Sequence, residues 1–114
     1  MDAVDITTEL IDGVLVLSPA GRLDSNNAAL FEDKLVESIE KGEKAVIIDF
    51  AKTSYISSGG LRVIIAVSQR LDKAQEKMVL ACSNPTLLQL FKISGFEMLF
   101  TICESVEDAL KACE

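Results

Sequence analysis

Polar and apolar residues alternate from Asp5 to Ile11, an Asp12-Gly13 pair follows, and Val14-Leu15-Val16-Leu17 is apolar without a break. Alternation with period two marks a strand with one wet face, and a D-G pair between two such runs supplies the positive φ angles of a tight hairpin turn. The chain is therefore predicted to open with an antiparallel β-hairpin. The period then changes: Ala28, Phe31, Leu35 and Ile39 recur at helical spacing, with Ser25 offered as the N-cap and Lys41-Gly42 as the stop. Ala45-Val46-Ile47-Ile48 is short, β-branched and apolar throughout, the pattern of a central strand covered on both faces.

A turn-like stretch from Ala51 to Ser58 leads into a second helical pattern from about Gly59 to Lys73. Leu61, Ile64, Ile65, Val67 and Leu71 form its inner stripe, and Arg62, Gln69, Arg70, Asp72 and Lys73 its wet side. Lys77 to Ala81 reads as the next strand. Asn84-Pro85 starts a third helix, because Asn caps free backbone N–H groups and Pro is tolerated at the first helical position, and Gly95 stops it. A strand over Leu99 to Cys103 precedes Ser105 and Asp108 at capping-box spacing, with Val106, Ala109, Leu110 and Cys113 on one apolar stripe. The order β-β-α-β-α-β-α-β-α predicts an α/β fold: a mixed sheet, opened by the hairpin and mostly parallel beyond it, packed with about four helices.

Composition narrows the function classes. A length of 114 residues corresponds to about one domain, spanning 1–114, and 49% apolar with 25% charged residues is ordinary globular usage. Eleven basic against eighteen acidic residues give a net charge of −7, which repels phosphate backbones and anionic lipid, so direct nucleic-acid binding is not expected. Apolar runs such as Val63 to Val67 fall far short of the ~18 residues of a membrane span, and Met1 does not begin a signal-peptide pattern. The expected location is cytoplasmic, without membrane insertion. Cys82, Cys103 and Cys113 are odd in number and lack C-x-x-C spacing, which suggests neither a disulfide framework nor zinc. The chain has no histidine, so every Ser-His-Asp and Cys-His arrangement is excluded. Phosphate-loop, dinucleotide and nucleophile-elbow motifs are absent as well. No cofactor or metal is expected, and the chain does not read as an enzyme.

One stretch stands out, Tyr55-Ile56-Ser57-Ser58-Gly59-Gly60-Leu61-Arg62, between the central strand and the second helix. Two glycines in a first helical turn cost about 1 kcal/mol each relative to alanine. Two readings are open on local physics. Either this is a capped turn with no further task, or Ser57 and Ser58 present hydroxyls at a helix N-terminus while the glycines leave room for a partner or a phosphate-bearing nucleotide. Asp24, in Gly21-Arg22-Leu23-Asp24, precedes the first helix, where it is either a carboxylate favoured by the helix dipole and nothing more, or gathers with Ser58 at one end of the sheet, where open α/β folds place their sites.

Several of these segments, taken in order, resemble the STAS domain, and in particular the small stand-alone anti-sigma-factor antagonists of bacteria. The resemblance covers nearly the whole chain: the hairpin, the G-x-[LI]-D signature at Gly21-Arg22-Leu23-Asp24, the strand ending in Asp49, a D-S-x-G-L-like segment at Ser57-Ser58-Gly59-Gly60-Leu61, and Asn84-Pro85 running to Gly95. It implies a phosphoacceptor at Ser58, with Ser57 in the place of the family's aspartate and as an alternative acceptor. Asp24 matches the carboxylate that helps contact the kinase and its nucleotide, and Ser57, Gly59, Gly60 and Arg62 complete the expected partner surface. The implied function is partner switching. The unmodified antagonist binds an anti-sigma factor that is also an ATP-dependent serine kinase, phosphorylation ends that complex, and a serine phosphatase resets it.

Three alternatives stay open. STAS-like domains also serve as scaffolds or as subunits of transport systems, without phosphorylation. A receiver domain accepting phosphate at Asp49 is opposed by the opening hairpin and by the lack of an acidic pair after a first parallel strand. Small-molecule catalysis would have to rest on carboxylates, lysines or thiols alone.

Overall fold

The computed structural model describes residues 5–40 and 45–114. Strands β1 (Asp5–Ile11) and β2 (Val14–Leu23) form the expected hairpin, with Ile11 opposite Val14 and both Asp12 (φ 51°) and Gly13 (φ 79°) left-handed in the turn. β2 runs six residues beyond the expected end at Leu17, through Pro19 and Gly21. Proline is tolerated because the edge of β2 away from β1 forks at that point. Strand β3 (Ala45–Asp49) pairs in parallel with Leu15 to Leu17, and strand β4 (Thr53–Ile56) with Gly21 to Leu23. Pro19 lies in the gap, where no ladder N–H is required, and its carbonyl accepts the buried Thr53 hydroxyl at 2.6 Å.

Beyond β3 lie β5 (Lys77–Ala81) and β6 (Thr101–Cys103), both parallel, giving the order β1-β2-β3-β5-β6 with β4 on the fork. β3 is central, as its unbroken apolar pattern predicts. Val46 and Ile48 face one side of the sheet and join Leu17, Leu80 and the helices α1 (Ala28–Glu40), α2 (Ser58–Lys73), α3 (Pro85–Ile93) and α4 (Phe96–Leu99) in the larger core. Ile47 faces the other side, with Val16, Val79 and Ala109 of helix α5 (Val106–Ala112). Phe91 stands at the centre of the larger core, its ring 5.4 Å from that of Phe50 and 5.5 Å from that of Phe96.

Three expectations require correction. The stretch Ala51 to Ser58 is not all turn, since it contains β4; a register shift between Gly21 and Arg22 inserts Ser54, so Thr53 and Ile56 point inward while Ser54 and Tyr55 are both exposed. This irregularity erases the period-two signal. Ser25 does not cap the first helix. Asp24 Oδ1 instead accepts from the Asn26 N–H at 3.0 Å and Asn27 Oδ1 from the Asp24 N–H at 2.9 Å, two bonds that shape the turn before the helix starts at Ala28. Finally, the last strand starts at Thr101, because left-handed Gly95 (φ 81°) is followed by the short α4 with Phe96 inserted in the core. The side chain of Ile39 and the Lys41-Gly42 stop lie outside the described residues.

The other two expected caps are present: Asn84 Oδ1 accepts from the Thr86 N–H at 2.9 Å, and Ser105 Oγ from the Asp108 N–H at 3.1 Å.

Candidate functional site at the start of helix α2

The forked strand pair carries two loops to one end of the sheet. Gly21, with φ 97°, sits in a conformation that favours glycine, and its N–H donates to the Lys52 carbonyl at 2.9 Å where the register shifts. Beyond it Leu23 and Ile56, both buried, face the core, and Arg22 and Tyr55 face outward. The Ser57 N–H then donates to the Leu23 carbonyl at 2.7 Å, which locks the start of α2 against the Asp24 loop. Asn27 braces that loop from beneath: it is 5% exposed, and its Nδ2 donates to the Arg22 carbonyl at 2.7 Å.

Ser57 and Ser58 take different roles on this frame. Ser57 is the N-cap, in extended conformation, and its Oγ accepts from the Gly60 N–H at 3.3 Å. Aspartate and serine are interchangeable caps, so Ser57 performs the capping that the aspartate of a D-S-x-G segment would perform. Ser58 is the first helical residue and is exposed, and among the described residues its hydroxyl has no hydrogen-bond partner. The first turn of α2 holds no acidic residue of its own, and the positive end of the helix dipole favours negative charge there. Arg62, one turn further along, is exposed and makes no ion pair among the described residues. These features favour an anion on Ser58 Oγ and leave Ser57 Oγ occupied.

The two glycines also separate. A Cβ on Gly59 would meet only ordinary contacts, with Ser57 Oγ at 3.5 Å and Ser25 Cα at 3.9 Å, so this position keeps the surface low beside Ser58. A Cβ on Gly60 would lie 3.0 Å from Ile56 Cγ2 and 3.4 Å from both Leu23 Cβ and its carbonyl oxygen. Gly60 is buried and serves the close approach of α2 to the strand pair, so the expectation that it opens the surface to a partner is corrected.

Asp24 adjoins α2's first turn, its carboxylate 3.9 Å from Arg22 Nε and its side chain 19% exposed. The Arg22 guanidinium in turn lies over the Tyr55 ring, 4.3 Å from its centroid. Sequence reasoning missed this stack and missed Asn27. The stack pairs residues opposite one another across a strand that the pattern did not reveal, and Asn27 carries no signal beyond its position three residues after Asp24. Asp49, the acceptor in a receiver-type reading, instead accepts from the Ala51 N–H at 3.0 Å and from Ser18 Oγ at 3.4 Å. Burial pushes the Cys82, Cys103 and Cys113 thiols upward from their ordinary value, which keeps them protonated near neutral pH and poorly nucleophilic.

A hairpin-opened mixed sheet with helices on both faces, carrying an exposed serine at a helix start beside the Asp24 loop, defines a small α/β domain. The family model described as STAS domain matches residues 5–109, and the chain belongs to that family. It is 37% identical over 107 residues to the candidate anti-sigma factor antagonist BtrV of Bordetella bronchiseptica, covering 94% of this chain and 92% of that protein. The crystal structure of an anti-sigma factor antagonist from Mycobacterium paratuberculosis superposes with a TM-score of 0.92 at 24% identity, covering 98% of this chain and 95% of that one. SpoIIAA, the Bacillus cell fate determinant in its phosphorylated form, has the same fold with a TM-score of 0.71 at 19% identity, covering 96% and 99%.

Proposed function

We propose that this chain is an anti-sigma-factor antagonist that works by partner switching from the cytoplasm, and that Ser58 is its switch. The observation that carries the reading is the division of labour at the start of α2. Ser57 Oγ is bound to the Gly60 N–H, whereas Ser58 Oγ is exposed, has no hydrogen-bond partner among the described residues, and stands in a first helical turn that holds no acidic residue of its own.

In the unmodified state the surface around Asp24, Ser57, Ser58, Gly59 and Arg62 docks on an anti-sigma factor that is also a serine kinase. Ser58 Oγ attacks the γ-phosphorus of ATP, its proton passes to a base of the kinase, the bond to the bridging oxygen breaks, and ADP leaves. The product carries about −1.5 to −2 charges at pH 7. On the helix itself this charge is favoured by about 0.3–1 kcal/mol, so the fold survives. Within a desolvated interface it needs new partners, and without them it ends the complex. A serine phosphatase adds water across the ester, returning the hydroxyl and inorganic phosphate. The chain is substrate and ligand in this cycle, not catalyst. Support comes from the 37% identity to BtrV and from the occurrence of this fold in a phosphorylated protein, SpoIIAA.

The test is to capture the kinase from the source cell on the unmodified protein, add ATP, and map the modification by mass spectrometry. An acid-stable phosphate on Ser58, lost in Ser58→Ala and retained in Ser57→Ala, is the expected result. Modification at another residue, or capture that is indifferent to both Ser58→Ala and Ser58→Asp, overturns it in favour of a scaffold.

A further inference from the structure

The Arg22–Tyr55 stack stands beside Ser58 and is accounted for neither by capping nor by core packing. Two contacts fix where it lies: the Ser57 N–H donates to the Leu23 carbonyl at 2.7 Å, and a Cβ on Gly59 would lie 3.9 Å from Ser25 Cα. Asp24 and Ser58 fall between these contacts on their two segments, so they lie alongside one another. Arg22 and Tyr55 are opposite residues of β2 and β4 just before that point, and both are exposed. The Arg22 guanidinium rests on the Tyr55 ring and approaches the Asp24 carboxylate through Nε at 3.9 Å, too far for a hydrogen bond. Among the described residues the guanidinium donates no hydrogen bond, so its donors are held in place and unused.

We propose that Arg22 is the residue that holds the phosphate on Ser58, and that Tyr55 positions it for that task. The inference rests on the reading of Ser58 as the acceptor. A guanidinium is a planar fork of donors that matches phosphate oxygens, and one already held against a ring has less freedom to lose on binding. The phosphate needs such a partner here. It brings about −1.5 to −2 charges alongside the Asp24 carboxylate, and like charges this close disfavour each other's ionised form. Arg22 already stands with that carboxylate, so one cation serves both anions. The other charged side chains on the elements that meet here are Lys52 before β4, Arg62 in α2, and Glu32 and Asp33 in the second turn of α1. Arg62, one turn along from Ser58, is the competing cation. It is exposed, and among the described residues no ring or carboxylate holds it, so it must give up more side-chain freedom to close on the phosphate.

Phosphoserine built into position 58 of the full chain by ligation of synthetic segments tests this without any kinase. The readout is its second pKa, ordinarily about 6, followed by phosphorus NMR at low salt. Arg22→Ala is expected to raise that pKa by about 0.5, roughly a threefold gain in proton affinity, because nothing then offsets Asp24. Arg22→Lys keeps the charge but loses the fork, and gives a smaller rise. Tyr55→Ala leaves every charge in place and still raises the pKa, which a merely structural tyrosine would not do. Arg62→Ala raises it by less than Arg22→Ala. Arg22, Tyr55 and Arg62 are all exposed, so the variants fold, and unchanged circular dichroism checks that they do. No rise in Arg22→Ala, or a rise in Arg62→Ala that equals or exceeds it, overturns the inference, and a Tyr55→Ala chain that titrates as wild type overturns the positioning role. The kinase-capture experiment fails separately: modification of another residue overturns the reading of Ser58 and leaves this titration as it stands.

Discussion

Helices α2 and α5 begin in the same way and end up with opposite chemistry. Each is capped by a serine in extended conformation whose Oγ accepts the N–H three residues on, at 3.3 Å for Ser57 to Gly60 and 3.1 Å for Ser105 to Asp108. After the cap, α2 continues Ser58-Gly59-Gly60, with a free hydroxyl and no carboxylate, whereas α5 continues Val106-Glu107-Asp108, with a half-buried apolar residue and two acids. The backbone donors and the helix dipole are shared, so neither distinguishes the proposed switch from a structural start. The distinction lies in the first three side chains and in what packs beneath them.

The sharpest way to break this comparison is to transplant one residue. Gly60→Asp gives α2 the third residue of α5, and the change is expected to destabilise the protein by about 3 kcal/mol or more, because the new Cβ meets Ile56 Cγ2 at 3.0 Å and a carboxylate follows it into a buried position. The reverse change, Asp108→Gly, is made at an exposed site and should cost about 1 kcal/mol or less. Urea unfolding of both variants checks the ratio. Equal losses would mean that Gly60 is not a packing residue.

The next effect concerns the support beneath the site. α2's start is tied through the Ser57 N–H to Leu23 and through Asn27 to Arg22 and Asp24, whereas among the contacts described α5's start rests on its own cap and the apolar layer. Asn27→Ala leaves the Arg22 carbonyl and the Asp24 N–H unsatisfied near the core, with an expected loss of about 1–3 kcal/mol. Hydrogen exchange should quicken at Asp24 and Ser57 but not at Asp108. Uniform acceleration would argue against a local brace.

These contacts also mark the limit of what the sequence discloses. Strands with regular alternation, the D-G turn, the Asn84 and Ser105 caps and the apolar central strand are all legible, because each depends on neighbours a few positions away. β4 is not, because the inserted Ser54 puts two successive residues outward and its partner is a segment thirty residues earlier that Pro19 disguises as loop. Of the candidate site, Ser57, Ser58 and Asp24 are the residues the sequence singles out, through motif order. That Gly60 faces inward, and that Asn27 and the Arg22–Tyr55 stack hold the loops, depends on pairing across the fork, which composition and periodicity do not encode.

A smaller effect tests the shared part of the comparison. Ser57→Ala and Ser105→Ala each remove one cap, and each should cost about 1 kcal/mol in thermal unfolding. A Ser57→Ala loss well above that of Ser105→Ala would show that Ser57 does more than cap.

The smallest expected effect on the fold comes with the largest on function. Ser58→Asp sets a carboxylate in the first turn of α2, where no acid stands, and should stabilise the chain by about 0.3–1 kcal/mol at low ionic strength, fading as salt screens the dipole. The matching change in α5, Val106→Asp, adds a third carboxylate beside Glu107 and Asp108 and withdraws an apolar side chain from the layer around Ile47 and Val79, so it should destabilise. Opposite signs from one substitution at equivalent helix positions identify which start can accept charge without loss of structure. A switch residue requires that tolerance: the modified protein must remain folded to be released, recognised by a phosphatase and used again. If Ser58→Asp unfolds the domain as Val106→Asp does, the lost complex is a consequence of denaturation and Ser58 is no switch. If it folds at least as well as wild type and still fails to hold the captured kinase, the charge itself is what the partner rejects.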